Sequence, residues 1–225
     1  IALATAISLI LFKAAPEDLR FIRGPTIQAG SDIQKVAAGD VNGDGSADLV
    51  TANRQGKSFS VLLGRGDMSF QPPQTLGTSI QPVSLILEDM DGDRFIDLVA
   101  GQVFGPPTLH YGNGDGSFQE AQMLEAGTTT RALASTDFDG DGVRDLAAAS
   151  SDSHEVSILL GAGGRRFQPP LRFATGRAPV DLVVTDWDGN GIADILTANG
   201  GSGDVWLHTG RADGRFSAAR QFLIG

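Results

Sequence analysis

The stretch Asp40-Val41-Asn42-Gly43-Asp44-Gly45-Ser46-Ala47-Asp48 is written four times in this chain of 225 residues. It returns as Asp89-Met90-Asp91-Gly92-Asp93-Arg94-Phe95-Ile96-Asp97 and as Asp137-Phe138-Asp139-Gly140-Asp141-Gly142-Val143-Arg144-Asp145. The fourth copy is Asp186-Trp187-Asp188-Gly189-Asn190-Gly191-Ile192-Ala193-Asp194. Successive starts lie 49, 48 and 49 residues apart. Oxygen side chains at positions 1, 3, 5 and 9 of one short loop repel one another unless a cation joins them. A hard cation that takes about six to eight oxygens from such a loop is calcium, so up to four calcium ions are expected. Position 7 (Ser46, Phe95, Val143 or Ile192) follows no side-chain rule, and its backbone carbonyl is the expected ligand.

Glycine fills position 4 in every copy and position 6 in three, as a tight loop with left-handed backbone requires. Arg94 breaks the pattern in the second copy, which is therefore expected to be the most strained. The third copy combines four aspartates with both glycines and is expected to hold its cation most tightly. Asp-Gly and Asn-Gly are also ordinary turn signals, and a single copy would be read as an acidic turn. Four copies in register, each with its last aspartate four residues after position 5, weigh against that reading. An EF-hand needs a glutamate at position 12, where this chain has Thr51, Ala100, Ala148 or Thr197. A dockerin resembles an EF-hand and follows its loop with a helix. Here each loop runs into a short apolar stretch, such as Leu49-Val50-Thr51-Ala52, which reads as a strand.

The loops contain fourteen of the 27 acidic residues, so the formal charge of −10 is mostly local and four dications would cancel most of it. Nothing basic suggests a nucleic-acid partner. The absence of cysteine removes disulfides, thiol redox chemistry and thiolate metal sites together.

Beyond the loops, a phenylalanine stands 19 residues before each start (Phe21, Phe70, Phe118 and Phe167), and Phe216 keeps the register after the last. Before each of the last four runs an apolar stretch ending in glycine, as in Val61-Leu62-Leu63-Gly64 and Ile158-Leu159-Leu160-Gly161. Each unit thus reads as strand, acidic loop, strand, polar turn, strand, glycine-rich turn, and a fourth strand starting at the phenylalanine. Four short antiparallel strands per unit make a propeller blade. One blade cannot bury both of its faces, so neighbours must stack. The expected fold is all-β, a β-propeller of four-stranded antiparallel blades.

Val41 to Leu49, and Leu62-Leu63-Gly64-Arg65-Gly66-Asp67-Met68-Ser69-Phe70 after it, closely resemble FG-GAP/VCBS repeats, which build the propeller of integrin α subunits and of many bacterial surface proteins. The resemblance covers about residues 30–225. It implies a calcium-binding propeller outside the cytoplasm, and no single activity, because members include adhesion heads, lectins and appendages of enzymes.

Four complete units are expected, at about 31–79, 80–127, 128–176 and 177–225. Residues 1–30 are either a partial blade or a leader remnant. Leu3-Ala4-Thr5-Ala6 mirrors Leu49-Val50-Thr51-Ala52, and Ser8 to Phe12 mirrors Ser60 to Gly64. The apolar run from Ile1 to Phe12 equally suits the end of a signal peptide or anchor, although twelve residues are too few to span a bilayer.

No catalytic constellation is apparent, and an enzyme is not expected. His110 and His208 occupy one repeat position, where Leu62 and Leu159 stand in the other units, and read as strand residues facing a blade interface. His154 lies in a polar turn and is expected to be solvated. Arg65-Gly66-Asp67 spells an adhesive tripeptide but aligns with Asn113-Gly114-Asp115, so an ordinary hairpin turn is the better reading. Trp187 shares an apolar position with Val41, Met90 and Phe138; Trp206 is the better candidate for stacking on a sugar ring. The functional expectation is a calcium-stabilised extracellular binding, adhesion or assembly module. Its partner would be a protein or glycan on an extracellular surface, or further copies of itself, with a membrane involved only through a leader or anchor. Alternatives are a lectin-like propeller and an accessory part of a polysaccharide-degrading enzyme.

Overall fold

A computed structural model describes residues 26–223. The strand-or-leader question at residues 1–12 lies outside them. The described chain contains no helix. It forms sixteen strands in four antiparallel sheets of four, each built from consecutive strands in sequence order. The first sheet holds β1 (Ile33–Gly39), β2 (Asp48–Asn53), β3 (Ser58–Leu62) and β4 (Gln74–Gly77). The second holds β5 (Pro82–Glu88), β6 (Asp97–Gln102), β7 (Thr108–His110) and β8 (Gln122–Met123). In the third are β9 (Thr130–Thr136), β10 (Asp145–Ser150), β11 (Glu155–Leu159) and β12 (Leu171–Ala174). The fourth has β13 (Pro179–Thr185), β14 (Asp194–Asn199), β15 (Asp204–His208) and β16 (Arg220–Leu223).

Every acidic loop joins the first strand of a sheet to the second, and its position-9 aspartate opens that second strand. The register repeats too: Gly39 pairs with Asp48, Glu88 with Asp97, Thr136 with Asp145 and Thr185 with Asp194. The first strands β1, β5, β9 and β13 pack side by side in that order. They surround a cavity of about 300 Å³ lined by Lys35, Ser84, Arg131 and Asp181 among others.

Stacking explains the strand composition. Residues alternate between two faces along a strand, yet β6 and β10 are buried at every position because each is covered on both sides. Val50, Ala52, Phe59 and Val61 of the first sheet meet Leu85, Leu98 and Ala100 of the second. Val99, Leu109 and Tyr111 then meet Leu146, Ala148 and Leu159 of the third, and Ala147, Val156 and Ile158 meet Leu182 and Ile195 of the fourth. Three cores therefore hold four sheets. The histidines belong to these joints as expected: His110 is buried edge-on to Phe59 (ring centroids 5.7 Å apart), and His208 lies 4.5 Å from Phe173.

Three details depart from expectation. The repeat phenylalanines do not open the fourth strands. Phe70, Phe118, Phe167 and Phe216 each make a single bridge to the glycine before the turn, and pairing resumes at Gln74, Gln122, Leu171 and Arg220. The aromatic side chain instead packs into a core between sheets, Phe118 in the first, Phe167 in the second and Phe216 in the third. Position 2 of the loop is buried at Val41, Met90 and Phe138, but Trp187 is 57% exposed, because among the described residues no fifth sheet covers that face. His154 is not simply solvated: its Nδ1 accepts the Ala178 N–H at 3.0 Å, tying the third sheet's turn to the entry of β13.

The glycines that close the third strands are packed too tightly for a side chain. A Cβ on Gly64, Gly112, Gly161 or Gly210 would overlap the carbonyl oxygen of Ala47, Ile96, Arg144 or Ala193, the residue before the position-9 aspartate. Gly161→Ala is accordingly expected to cost about 1–3 kcal/mol in urea unfolding through overpacking. Gly163, left-handed but with open space where its Cβ would go, should lose only about 1 kcal/mol on the same change.

Candidate metal centres

The four acidic loops share one hydrogen-bond lattice, clearest in the third. Both carboxylate oxygens of Asp137 accept backbone N–H groups, Oδ1 from Gly140 (2.7 Å) and Asp141 (3.2 Å), Oδ2 from Gly142 (2.9 Å). Asp139 accepts the N–H of Asp141 at 3.2 Å, and Asp141 that of Val143 at 2.7 Å. The pattern recurs at Asp40, Asn42 and Asp44, at Asp89, Asp91 and Asp93, and at Asp186, Asp188 and Asn190. Each polar side chain accepts amides two to five residues further along the chain, in a loop whose positions 4 and 6 are left-handed. Gly43, Gly92, Gly140 and Gly189 have φ between 72° and 82°, and Gly45, Gly142 and Gly191 lie at 84–85°. Arg94 is forced to φ 76° in the same place, the strain anticipated for the second loop.

Position 9 differs from the others. Asp48, Asp97, Asp145 and Asp194 are fully buried. In each, Oδ2 accepts the N–H of position 2 at 2.7–2.9 Å, and Oδ1 accepts the N–H of Gly64, Gly112, Gly161 or Gly210 at 2.7–2.8 Å. This carboxylate therefore ties the loop to the turn after the third strand. The glycine partner, sixteen residues away in the first copy, is the functional position that loop spacing alone does not reveal. Burial pushes the carboxyls of Asp97 and Asp145 up to about 6, against the pull of the two amides on each.

In three of the loops the carboxylates of positions 1, 3 and 9 converge. One oxygen from each of Asp89, Asp91 and Asp97 lies within 4.8 Å of the other two, and the same holds for Asp137, Asp139 and Asp145 and for Asp186, Asp188 and Asp194. In the first loop Asn42 replaces one carboxylate, and its Nδ2 donates to Asp44 Oδ2 at 2.9 Å. These residues fit a calcium ion. The side-chain donors are oxygens, they cluster, and amides already hold them in place, so little order remains to be imposed on binding. Position 5 (Asp44, Asp93, Asp141, Asn190) turns one oxygen to the position-7 amide of Ser46, Phe95, Val143 or Ile192.

Two other sequence candidates are placed in ordinary surroundings. Asp67 of Arg65-Gly66-Asp67 turns back on its own hairpin, accepting the N–H and hydroxyl of Ser69, as Asp115 does with Ser117. Trp206 lies within β15, paired with Thr197 and Gln221, and is half-buried.

The lattice separates brace from ligand. Asp145→Ala strands two buried N–H donors and should cost about 2–5 kcal/mol even in excess chelator. Asp141→Ala, at the exposed side of the same loop, should be nearly neutral in chelator and destabilising only when calcium is present. Urea unfolding of both variants in the two buffers measures this; equal behaviour would merge the two roles.

No curated protein sequence matches the chain. Among solved structures, two of BBS1N in complex with ARL6DN, from crystals soaked with mercury and with lead, superpose with a TM-score of 0.61 each. They are 15% and 14% identical over 88% of this chain and 55% and 57% of theirs, so the chain spans just over half their length. That likeness is one of fold. A profile of the FG-GAP-like repeat matches residues 40–100, 89–148 and 137–197, each match running from one acidic loop into the next unit. The matched run takes in most of the chain and all four loops, and the chain belongs to the FG-GAP-like repeat family.

Proposed function

We propose that the four sheets are consecutive blades of a calcium-stabilised β-propeller, and that the module binds a partner or builds an assembly outside the cytoplasm. The observation that carries the reading is the fourfold recurrence of one hydrogen-bonded acidic loop, with carboxylates from positions 1, 3 and 9 drawn together in three copies. Bound calcium would relieve the repulsion among those carboxylates and add its binding free energy to that of folding. Cysteine is absent, so the chain has no disulfides to do the same work. Extracellular calcium modules bind at about 10⁻⁴–10⁻³ M, which suits millimolar calcium outside the cell. The loops lie together at the first turns of the sheets, leaving the turns between second and third strands as the surface for a protein, a glycan or another copy.

The test is a thermal melt followed by calorimetry, in calcium and in excess chelator, with the mass in solution measured alongside. At about 1 mM calcium each occupied site should contribute about 0.4–1.4 kcal/mol, and three or four sites should raise Tm by about 5–15 °C. An unchanged Tm would reduce the loops to acidic turns. A dimeric or polymeric mass would support assembly, and a strict monomer would favour a separate partner.

Acidity should close the gap. Without metal, the folded pKa of Asp97 and Asp145 is raised to about 6, above the unfolded value, so the folded chain holds protons that the unfolded chain has lost. Lowering the pH from 7 to 5 therefore favours the folded form in chelator. It also protonates groups that calcium needs ionised. The Tm difference between the two buffers is expected to shrink as pH falls through about 6, and a gap that widens would contradict the assignment.

A further inference from the structure

The turn after the third strand of the second, third and fourth sheets leans on the acidic loop of the sheet before it. Two residues before its phenylalanine, the backbone is left-handed in every copy: Met68 (φ 66°), Gly116 (86°), Arg165 (65°) and Gly214 (71°). In the second and fourth sheets that residue is glycine, seated on a leucine of the preceding sheet. A Cβ on Gly116 would press on Leu63, and one on Gly214 on Leu160 and Asp139. At the joint between the second and third sheets both partners change. Arg165 stands where the glycine would be, in a backbone region that an arginine enters only under strain, and Tyr111 replaces the leucine. The guanidinium carbon lies 4.2 Å from the Tyr111 ring centroid.

From that perch the side chain enters the second acidic loop. Arg165 Nε donates to Asp91 Oδ2 at 2.6 Å, Nη2 approaches Asp93 Oδ2 at 3.4 Å, and Nη1 donates to Gln119 Oε1 at 3.1 Å. The Asp91 side chain is left only 5% exposed. Positions 3 and 5 of this loop, two of the candidate calcium ligands, thus already face a permanent cation. The same loop has Arg94 where the other three have glycine. Three departures from the repeat, Arg94, Tyr111 and Arg165, therefore meet at one loop.

We propose that Arg165 is the built-in cation of the second loop, bound to Asp91 and Asp93 in competition with calcium. The second loop then binds calcium about tenfold or more weakly than the others, a difference of about 1.4 kcal/mol or more, and the joint between the second and third sheets holds without it. The guanidinium cannot be deprotonated, so its presence does not depend on pH. It is also anchored by a ring and an amide besides the carboxylates, unlike an isolated surface pair. The inference rests on the calcium reading of the other three loops.

Calcium binding to the full chain, measured by equilibrium dialysis and calorimetric titration, tests it. The wild-type chain is expected to show three tight sites and one weak site. R165G, which restores the residue found at Gly116 and Gly214, should show four tight sites. In the wild type, D91N should leave three tight sites while D137N leaves two; combined with R165G, D91N should return the count from four to three. Four matched sites in the wild type, unchanged by R165G, would overturn the role of Arg165 and leave the calcium reading intact. A loss of one tight site in D91N alone would overturn it too, independently of how R165G folds. No tight binding in any chain would overturn the calcium reading and this inference with it.

Discussion

A buried carboxylate accepting two backbone amides is the interaction on which the architecture turns. Asp145 and its three counterparts open the second strand of each sheet, fully removed from solvent, and hold the start of their own loop to the glycine that ends the third strand. A charge so placed is tolerated only when its lone pairs are occupied. The geometry demands the glycine in turn, since the amide reaches the carboxylate only where the two chains approach closer than any Cβ allows. Aspartate and glycine are thus one device split across sixteen residues or so, and it fixes the loop, the second strand and the third-strand turn with respect to each other.

What that device positions is a sheet with two apolar faces. A sheet of this kind has no stable solution alone, and the chain solves the problem by repetition, each sheet covering one face of the next. The three cores are unequal. Alanines 147, 148 and 149 fill the middle strand of the third sheet, where the equivalent positions of the second hold Val99, Ala100 and Gly101. Ala147 and Ala149 belong to the third core, which the larger side chains Phe138, Phe173 and Phe216 help to fill.

Much of this was legible in the residues. The acidic loops, the strands that follow them and the unit length could be read because they depend on local chemistry: oxygen at fixed intervals, glycine at left-handed positions, alternating apolar residues after the last aspartate. The histidines of β7 and β15 were legible for a related reason, since they replace leucines at a repeat position. What escaped depends on contacts between units. The phenylalanines mark the units faithfully, but they mark a core contact and not a strand start. Trp187 shares its repeat position with three buried residues and is exposed because, among the described residues, no further sheet covers it. Arg165 is one of two adjacent arginines in a glycine-rich turn, and nothing local distinguishes it from Arg166; its meaning lies in Tyr111 and Asp91, more than fifty residues earlier.

The aromatic residues are dealt unevenly among the repeats, and this gives the molecule a spectroscopic address system. Its single tyrosine lies under Arg165 beside the second loop, and both tryptophans belong to the fourth unit, Trp187 within the loop itself. The first and third loops carry Val41 and Phe138 at the position of Trp187. Tryptophan emission from the unmodified chain is therefore a local signal from the last sheet, while far-ultraviolet dichroism averages over all four. A transition seen first in fluorescence would mean that the fourth sheet opens before the rest, and coincident transitions would mean that the stack melts as one.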